Sequence, residues 1–178
     1  MKKKAGQTGK GDGVIIIFTG AGKGKTTAAL GCALRASGYG MKTLVVQFMK
    51  GEGNSGETMV CPGVLNDIEI RSFGAGFLLP GDDPDAHRRA AEEAWAYVEK
   101  RMNRRTYDIL VLDELAVVLD HGLLVQEKVI ECLAMAKGDG HIIITGRNAP
   151  SGLMEIADVI TEMRDVKHMY RNGRPAVR

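Results

Sequence analysis

A short apolar run that leads directly into a glycine-rich loop, and from there into a helical segment, is the strongest constraint on this chain. Residues 14–18 are all apolar, and residues 19–27 read TGAGKGKTT. Glycine lets backbone N–H groups turn toward one point, and the following helix places its positive end there. A strand, a loop of this kind and a helix form the arrangement of a phosphate-binding loop. The sequence therefore predicts a nucleotide site at this loop.

The loop departs from the usual pattern at one position. Phosphate-binding loops carry glycine five residues before the last glycine, and this chain has Thr19 there. The rest of the motif is complete, because Lys25 brings a positive charge to the outer phosphates and the Thr26 hydroxyl is a ligand that suits Mg²⁺. The alternative is an ordinary glycine-rich turn, which would hold two lysines close together without an anion.

A second apolar run, residues 109–112, ends in Asp113 and Glu114. In phosphate-loop proteins an acidic residue at a strand end takes part in holding Mg²⁺. Two adjacent carboxylates also occur as a plain helix cap, but beside a phosphate loop the metal interpretation is the stronger one. We expect Thr26, Asp113 and Glu114 to form a site for Mg²⁺ or Mn²⁺. The sequence leaves open which carboxylate meets the metal.

Short apolar segments alternate with helical ones along the chain. Runs rich in valine and isoleucine without polar alternation are typical of strands covered on both faces. This order predicts an α/β fold, a single P-loop (RecA-like) three-layer domain with a mainly parallel sheet. The predicted strands are residues 14–18, 43–48, 68–72, 109–112, 141–145 and 159–163, and the predicted helices are residues 26–37, 84–105, 125–137 and 151–157, the last capped by Ser151.

Composition narrows the classes of protein. No apolar run approaches the roughly 20 residues of a membrane helix, and three scattered cysteines without a C-x-x-C pair indicate a reducing, cytoplasmic setting. Aromatic residues make up 5% of the chain, which argues against a stacking platform for nucleic acid. Residues 1–13 form a basic segment, either flexible or a lid, and residues 14–178 form the domain.

The motifs together resemble the cob(I)alamin (corrinoid) adenosyltransferases of the CobA/CobO/BtuR type. In that family threonine at the first position of the phosphate loop is normal. The resemblance covers roughly residues 14–174 and rests on the loop, on VVQFMKG at residues 45–51, on VLDEL at residues 111–115, on IITGR at residues 143–147 and on the closing segment from residue 158 to residue 168.

The resemblance implies that ATP donates an adenosyl group to a reduced corrinoid. Cobalt(I) attacks the ribose C5′ carbon and inorganic triphosphate leaves, so the protein supplies no nucleophile of its own. Catalytic roles follow for Lys25, Thr26 and Glu114. The resemblance also implies a homodimer, a flavodoxin-type or flavin reductant, a cytoplasmic location, and no nucleic acid or membrane partner.

The same resemblance assigns contacts to each substrate. Arg147 has an alternative role as a surface arginine, and Gln47 and Lys50 are equally suited to ordering the loop that follows them. Leu79 stands where some members of the family have tryptophan. The predicted ATP contacts are Gly20, Ala21, Gly22, Lys23, Gly24, Lys25, Thr26, Thr27, Arg35 and Arg147, and the predicted corrinoid contacts are Phe77, Leu79, Gln47 and Lys50.

Two other functions remain open from the sequence. One is a P-loop ATPase or kinase in which Glu114 activates water or substrate. The other is a nucleotide-sensing module without catalysis, in which residues 51–63 act as a switch. The products formed from ATP separate these functions from adenosyl transfer.

Overall fold

The structure of the chain is a computed structural model that describes residues 13–51, 55–59, 65–76 and 83–167. All six predicted strands form, with ends within one residue of the prediction. They are β1 (Ile15–Thr19), β2 (Thr43–Gln47), β3 (Ile68–Ser72), β4 (Ile109–Asp113), β5 (His141–Thr145) and β6 (Val159–Glu162).

Five helices connect these strands within the described residues, and a helical turn covers residues 56–59. The second helix shows why the sequence becomes helical. The Asp83 side chain caps it by accepting from the Asp85 N–H at 2.9 Å, and Pro84 occupies its first position. The helices are α1 (Lys25–Ser37), α2 (Pro84–Arg104), α3 (Leu115–Asp120), α4 (Gln126–Ala136) and α5 (Ser151–Glu155).

The six strands form one sheet in the order β3-β2-β4-β5-β1-β6, and every described pair is parallel. Alanines of α1 pack on one face of the sheet, whereas α2, α3, α4 and α5 bury their apolar sides against the other. The fold is therefore a single three-layer α/β domain, as predicted. In such sheets ligands gather at the carboxyl ends of the strands, and the loop after β1 lies at that edge.

The strand register places the polar residues of this edge in one row. Gln47 at the end of β2 is aligned with Ser72 of β3 on one side and with Asp113 of β4 on the other. On the other side of β4, the last aligned pair with β5 is Leu112 with Ile144, so Asp113 and Thr145 follow side by side. Parallel pairing thus brings the strand ends that carry the predicted site residues side by side.

One helix was missing from the sequence prediction, and one predicted helix cap was wrong. Helix α3 follows β4 after one residue, and no turn signal in the sequence announces it. Pro150, not Ser151, occupies the N-cap of α5, which has no side-chain cap. The basic segment predicted for residues 1–13 lies almost wholly outside the described residues. Among the described helices, none combines the length and the apolar character that a bilayer crossing needs.

Candidate functional site: a phosphate loop joined to a buried carboxylate

The phosphate loop connects the end of β1 to the start of α1. Gly24 immediately precedes the helix with φ 105°, a left-handed conformation that favours glycine. No side chain caps α1, and its first turn carries no acidic residue. The N–H groups of this turn have no carbonyl acceptor within the helix, so they are suited to an anion.

Lys25 extends across the loop. Its ammonium group donates to the carbonyl oxygens of Gly20 at 2.8 Å and Gly22 at 2.7 Å. The residue is only 7% exposed, and this burial lowers the pKa of the amine, against the raising effect of the Glu114 charge. The loop therefore holds a dehydrated cation beside the positive end of a helix, and a phosphate group bound there meets both.

Two positions of the loop require glycine for a second reason besides the close approach of phosphate, namely the neighbouring backbone at Met163. A Cβ on Gly20 would lie 2.5 Å from the Met163 carbonyl oxygen, and one on Gly22 would lie 2.7 Å from it. The Gly22 N–H donates to the same oxygen at 2.6 Å. The segment after β6 thus fixes the outer side of the loop, a contact that the motif alone does not reveal.

Thr19, which replaces the usual first glycine, has a structural role. Its hydroxyl oxygen accepts a hydrogen bond from the Ala149 N–H at 3.2 Å, and the residue is 8% exposed. The side chain ties the end of β1 to the segment that leads into α5. The departure from the common motif therefore adds a link and removes none of the groups that face phosphate.

Asp113 is fully buried at the end of β4. Its Oδ1 accepts from the Thr26 hydroxyl at 2.7 Å and from the Thr145 hydroxyl at 2.8 Å. Its Oδ2 accepts from Gln47 Nε2 at 3.3 Å and lies 3.2 Å from Lys50 Nζ. A buried carboxylate needs such partners, and these four donors engage both oxygens.

Glu114 differs from its neighbour in its surroundings. It has φ 66° and forms the N-cap of α3, and its N–H donates to the Thr145 hydroxyl at 2.9 Å. Burial raises the pKa of its carboxyl, the Asp113 charge adds to that rise, and the charges of Lys25 and Lys50 oppose it. Among the described residues, no cation forms a salt bridge with this carboxylate.

Glu57 joins the same cluster from the helical turn at residues 56–59. Its Oε1 accepts from Gln47 Nε2 at 2.9 Å and from Lys50 Nζ at 2.8 Å. Burial raises the pKa of Glu57, but the hydrogen bonds, that from Lys50 first, outweigh burial and lower it to about 2. Ser72 completes the row by donating to Gln47 Oε1 at 2.8 Å.

Sequence reasoning missed Glu57 and Thr145. Thr145 stands in the Thr-Gly-Arg segment from which Arg147 was predicted to contact ATP, so the sequence did point to this segment. Gly146 after it has φ 141°, and a Cβ there would lie 2.8 Å from the Ala116 Cβ. Glu57 lies in a segment without sequence periodicity, and its hydrogen bonds with Gln47 and Lys50 are what show that it reaches the site.

The remaining predicted residues are placed unevenly. Arg147 is exposed at the carboxyl edge, where its charge lowers the pKa of Lys25 and of Glu114. Arg35 lies in the last turn of α1, about 15 Å along the helix axis from Lys25, and its phosphate contact stays a prediction. Ala21 and Lys23 are exposed in the loop, and Thr27 is exposed in the first turn of α1. Phe77 and Leu79 lie outside the described residues.

The donor set fits a hard divalent cation that has few protein ligands. Within the described residues, no cluster of three or more His, Cys, Asp or Glu side chains is suited to a metal. Mg²⁺ is commonly held by one or two carboxylates together with substrate phosphates. The Thr26 hydroxyl and the Glu114 carboxylate supply such oxygens, whereas the two oxygens of Asp113 are already engaged.

Comparison with known proteins decides the family. The profile of the family described as ATP:corrinoid adenosyltransferase BtuR/CobO/CobP matches residues 11–178. The chain belongs to this family. The sequence predicted this membership from the phosphate loop, the acidic strand end and the Thr-Gly-Arg segment, and the match confirms it.

Relatives agree over most of their length. The corrinoid adenosyltransferase of Pseudomonas aeruginosa is 35% identical over 161 residues, which cover 90% of this chain and 79% of that protein. The corrinoid adenosyltransferase of Escherichia coli is 36% identical and CobA of Salmonella typhimurium is 37% identical, each over 161 residues that cover 90% of this chain and 81% of the relative.

A solved structure is similar in fold. The flagellar accessory protein FlaH from Methanocaldococcus jannaschii superposes with a TM-score of 0.52 at 12% identity, covering 84% of this chain and 70% of that chain. At this level of identity the likeness concerns the arrangement of strands and helices alone. It agrees with the parallel three-layer domain described above.

Proposed function

We propose that this protein transfers the 5′-deoxyadenosyl group of ATP to the cobalt(I) centre of a reduced corrinoid. The observation that carries the proposal is the hydrogen bond between Thr26 of the phosphate loop and Asp113 of β4, in a chain of the corrinoid adenosyltransferase family. It joins the phosphate-binding and acidic parts of the site. The relatives named above are corrinoid adenosyltransferases, which supports the same reaction here.

The reaction asks the protein for positioning and for stabilisation of charge. The cobalt electron pair forms a bond to C5′, and the C5′–O bond breaks with its electrons going to the triphosphate. The leaving group is a polyanion, so preorganised cations and N–H donors lower the barrier most. Lys25, the N–H groups at the start of α1 and the exposed Arg147 are the groups that we assign to it.

A divalent cation, Mg²⁺ or Mn²⁺, would neutralise part of the triphosphate charge when bound. We assign the Thr26 hydroxyl and the Glu114 carboxylate to it as protein ligands, and we give Asp113 the role of orienting the Thr26 hydroxyl. We expect the triphosphate to lie reversed relative to its orientation in hydrolytic phosphate-loop enzymes, which would bring C5′ to the reaction centre. Phe77 and Leu79 stay predictions for the corrinoid side, as do the homodimer and the flavin-type reductant.

The products of ATP test this proposal. We expect ATP, Mg²⁺ and chemically reduced corrinoid to yield an adenosylated corrinoid and intact triphosphate in equal amounts. Formation of ADP and phosphate instead would establish a hydrolase or kinase. Binding of ATP with no turnover on any corrinoid would favour the sensing module. Lys25→Ala is the negative control, because it removes a cation from the leaving group.

A further inference from the structure

Glu57 has no role in the motifs that define the site, yet it contacts two of the four groups that bond to Asp113. Its Oε1 accepts from both Gln47 and Lys50, at 2.9 Å and 2.8 Å. The same two nitrogen atoms approach Asp113 Oδ2. Each donor side chain is thus held between two carboxylates, one from β4 and one from the helical turn at residues 56–59.

We propose that Glu57 is a positioning residue for the reaction: it holds two side chains against Asp113 and so fixes the carboxylate oxygen that accepts from Thr26. The proposal rests on the function given above. Glu57 thereby orients the Thr26 hydroxyl of the phosphate loop indirectly. It holds Gln47 and Lys50, these two side chains hold Asp113, and Asp113 accepts from Thr26.

The geometry supports this role in two ways. Asp113 is fully buried, so rotation of its carboxylate would leave a charged oxygen without a partner, which is costly in a dry interior. Glu57 and Lys50 keep side-chain exposures of 20% and 25%, so they lie between the buried carboxylate and solvent. Truncation of Glu57 removes one of the partners that hold each donor, so the donors can shift, and with them the orientation of Asp113.

The backbone around the donors adds a constraint. The Lys50 carbonyl accepts from the Gly74 N–H at 2.9 Å, and the Gln47 carbonyl accepts from the Phe73 N–H at 3.0 Å. The main chain of both residues is therefore fixed by the segment after β3. What remains adjustable is the direction of the two side chains, which Glu57 sets for Lys50 and, together with Ser72, for Gln47.

The test is a calorimetric titration of the whole protein with ATP over a series of Mg²⁺ concentrations. We expect Glu57→Ala to raise the Mg²⁺ concentration that gives half of the tight ATP binding about tenfold, the effect of losing one hydrogen bond to a charged group. We expect Glu57→Gln, whose amide oxygen still accepts from Lys50, to stay within about threefold of the wild type.

A double variant tests whether Glu57 acts through its partners. In a Lys50→Met background, Glu57→Ala should change the Mg²⁺ requirement by less than it does in the wild-type background, because one of the two contacts through which Glu57 acts is already lost. An equal change in both backgrounds would overturn the proposal, as would a wild-type Mg²⁺ requirement in Glu57→Ala or equal losses in the alanine and glutamine variants.

Glu69→Gln is the matched control, because it removes another hydrogen-bonded carboxylate, one that binds Arg101 of α2. We expect its Mg²⁺ requirement to equal that of the wild type even where its stability falls. An equal shift in this control would reduce the Glu57 effect to general destabilisation and overturn the proposal. Failure of the wild type to adenosylate a corrinoid would reject the proposed function, while the titrations would still decide the role of Glu57.

Discussion

The Thr26 hydroxyl donates to Oδ1 of Asp113 over 2.7 Å, although β5 lies between β1, which leads into the phosphate loop, and β4, which ends at Asp113. Thr145 of that intervening strand donates to the same oxygen. The contact forms because α1 starts over the carboxyl edge of the sheet and because Asp113 is the last residue of its strand. The helix that follows the phosphate loop is thereby anchored to the acidic strand.

Thr26→Val should remove the hydrogen bond between Thr26 and Asp113 while leaving the fold in place. Valine keeps the shape but removes a hydrogen bond to a buried charge, so we expect a loss of stability of about 1.5–3 kcal/mol. We also expect kcat/KM for ATP to fall about a hundredfold, because the metal loses a ligand. Denaturant unfolding and steady-state kinetics measure the two effects.

Thr26→Ser is the control for that change, since serine retains the hydroxyl group. It should keep kcat/KM within about tenfold of the wild type. Loss of activity in the serine variant equal to that in the valine variant would contradict the role assigned to the hydroxyl.

Lys25→Ala should reduce transfer about a hundredfold to a thousandfold without unfolding the protein. The ammonium is buried with a lowered pKa, so its removal relieves a desolvated charge and costs little stability. Single-turnover formation of adenosylated corrinoid measures the loss. Lys23→Ala serves as the comparison, because Lys23 is exposed and its removal should cost clearly less; equal losses would argue against the role of Lys25 on the leaving group.

The sequence predicted the strands well because their apolar runs are local signals, and it predicted the phosphate loop because its chemistry is contiguous. Helix α3 was missed because its apolar residues continue directly from β4, and Glu114 turns the chain in a left-handed conformation without glycine. A non-glycine residue with positive φ is uncommon. No sequence signal marked that turn.

The sequence predicted the part of the site that lies in local motifs and missed the part that depends on non-local contacts. Lys25, Thr26 and Asp113 lie in recognisable local motifs, whereas Thr145 and Glu57 join Asp113 only through strand register and a loop. Such non-local hydrogen bonds depend on how the strands align with one another, and a single sequence does not show that alignment directly.

Gly74→Ala should disturb the site by displacing the backbone at Met49 and Lys50. A Cβ at Gly74 would overlap the Met49 carbonyl carbon and lie 2.5 Å from the Lys50 nitrogen. Backbone must move to admit it, so we expect a loss of about 1–3 kcal/mol of stability and weaker binding of ATP with Mg²⁺. Gly31→Ala is the opposite case, because a Cβ there meets no atom within 4 Å; in a helix interior it should stabilise by about 0.5–1 kcal/mol. Equal effects of both changes in denaturant unfolding would contradict this account.

Glu114→Gln should stabilise the protein at neutral pH in the absence of metal and nucleotide. The folded state raises the pKa of this carboxyl, chiefly by burial, so the wild type loses stability as the pH rises from the unfolded value of about 4.5 through the raised value. The gain of the variant should therefore be present at about pH 8 and absent at about pH 4. Denaturant unfolding at both pH values measures it, and a gain that persists at the lower pH would contradict burial of the charge as the cause.

Glu69→Gln should show the reverse pH dependence. Hydrogen bonds from Arg101 above all lower the pKa of Glu69 to about 2, from a usual 4.5. Stability from this carboxylate is present above about pH 4.5 and lost as the pH falls through about 2. Since the side chain is 37% exposed, solvent screening reduces its contribution to about 1 kcal/mol.

We therefore expect the Glu69→Gln variant to unfold with about 1 kcal/mol less free energy at neutral pH and to equal the wild type near pH 2. Asp85→Asn is the matched control, because it removes an ion pair with Arg88 whose side chains are 66% and 49% exposed. Exposed pairs of this kind contribute about 0.5 kcal/mol or less. A control loss as large as that of Glu69→Gln would show that the two-pronged contact with Arg101 adds nothing beyond a surface charge pair.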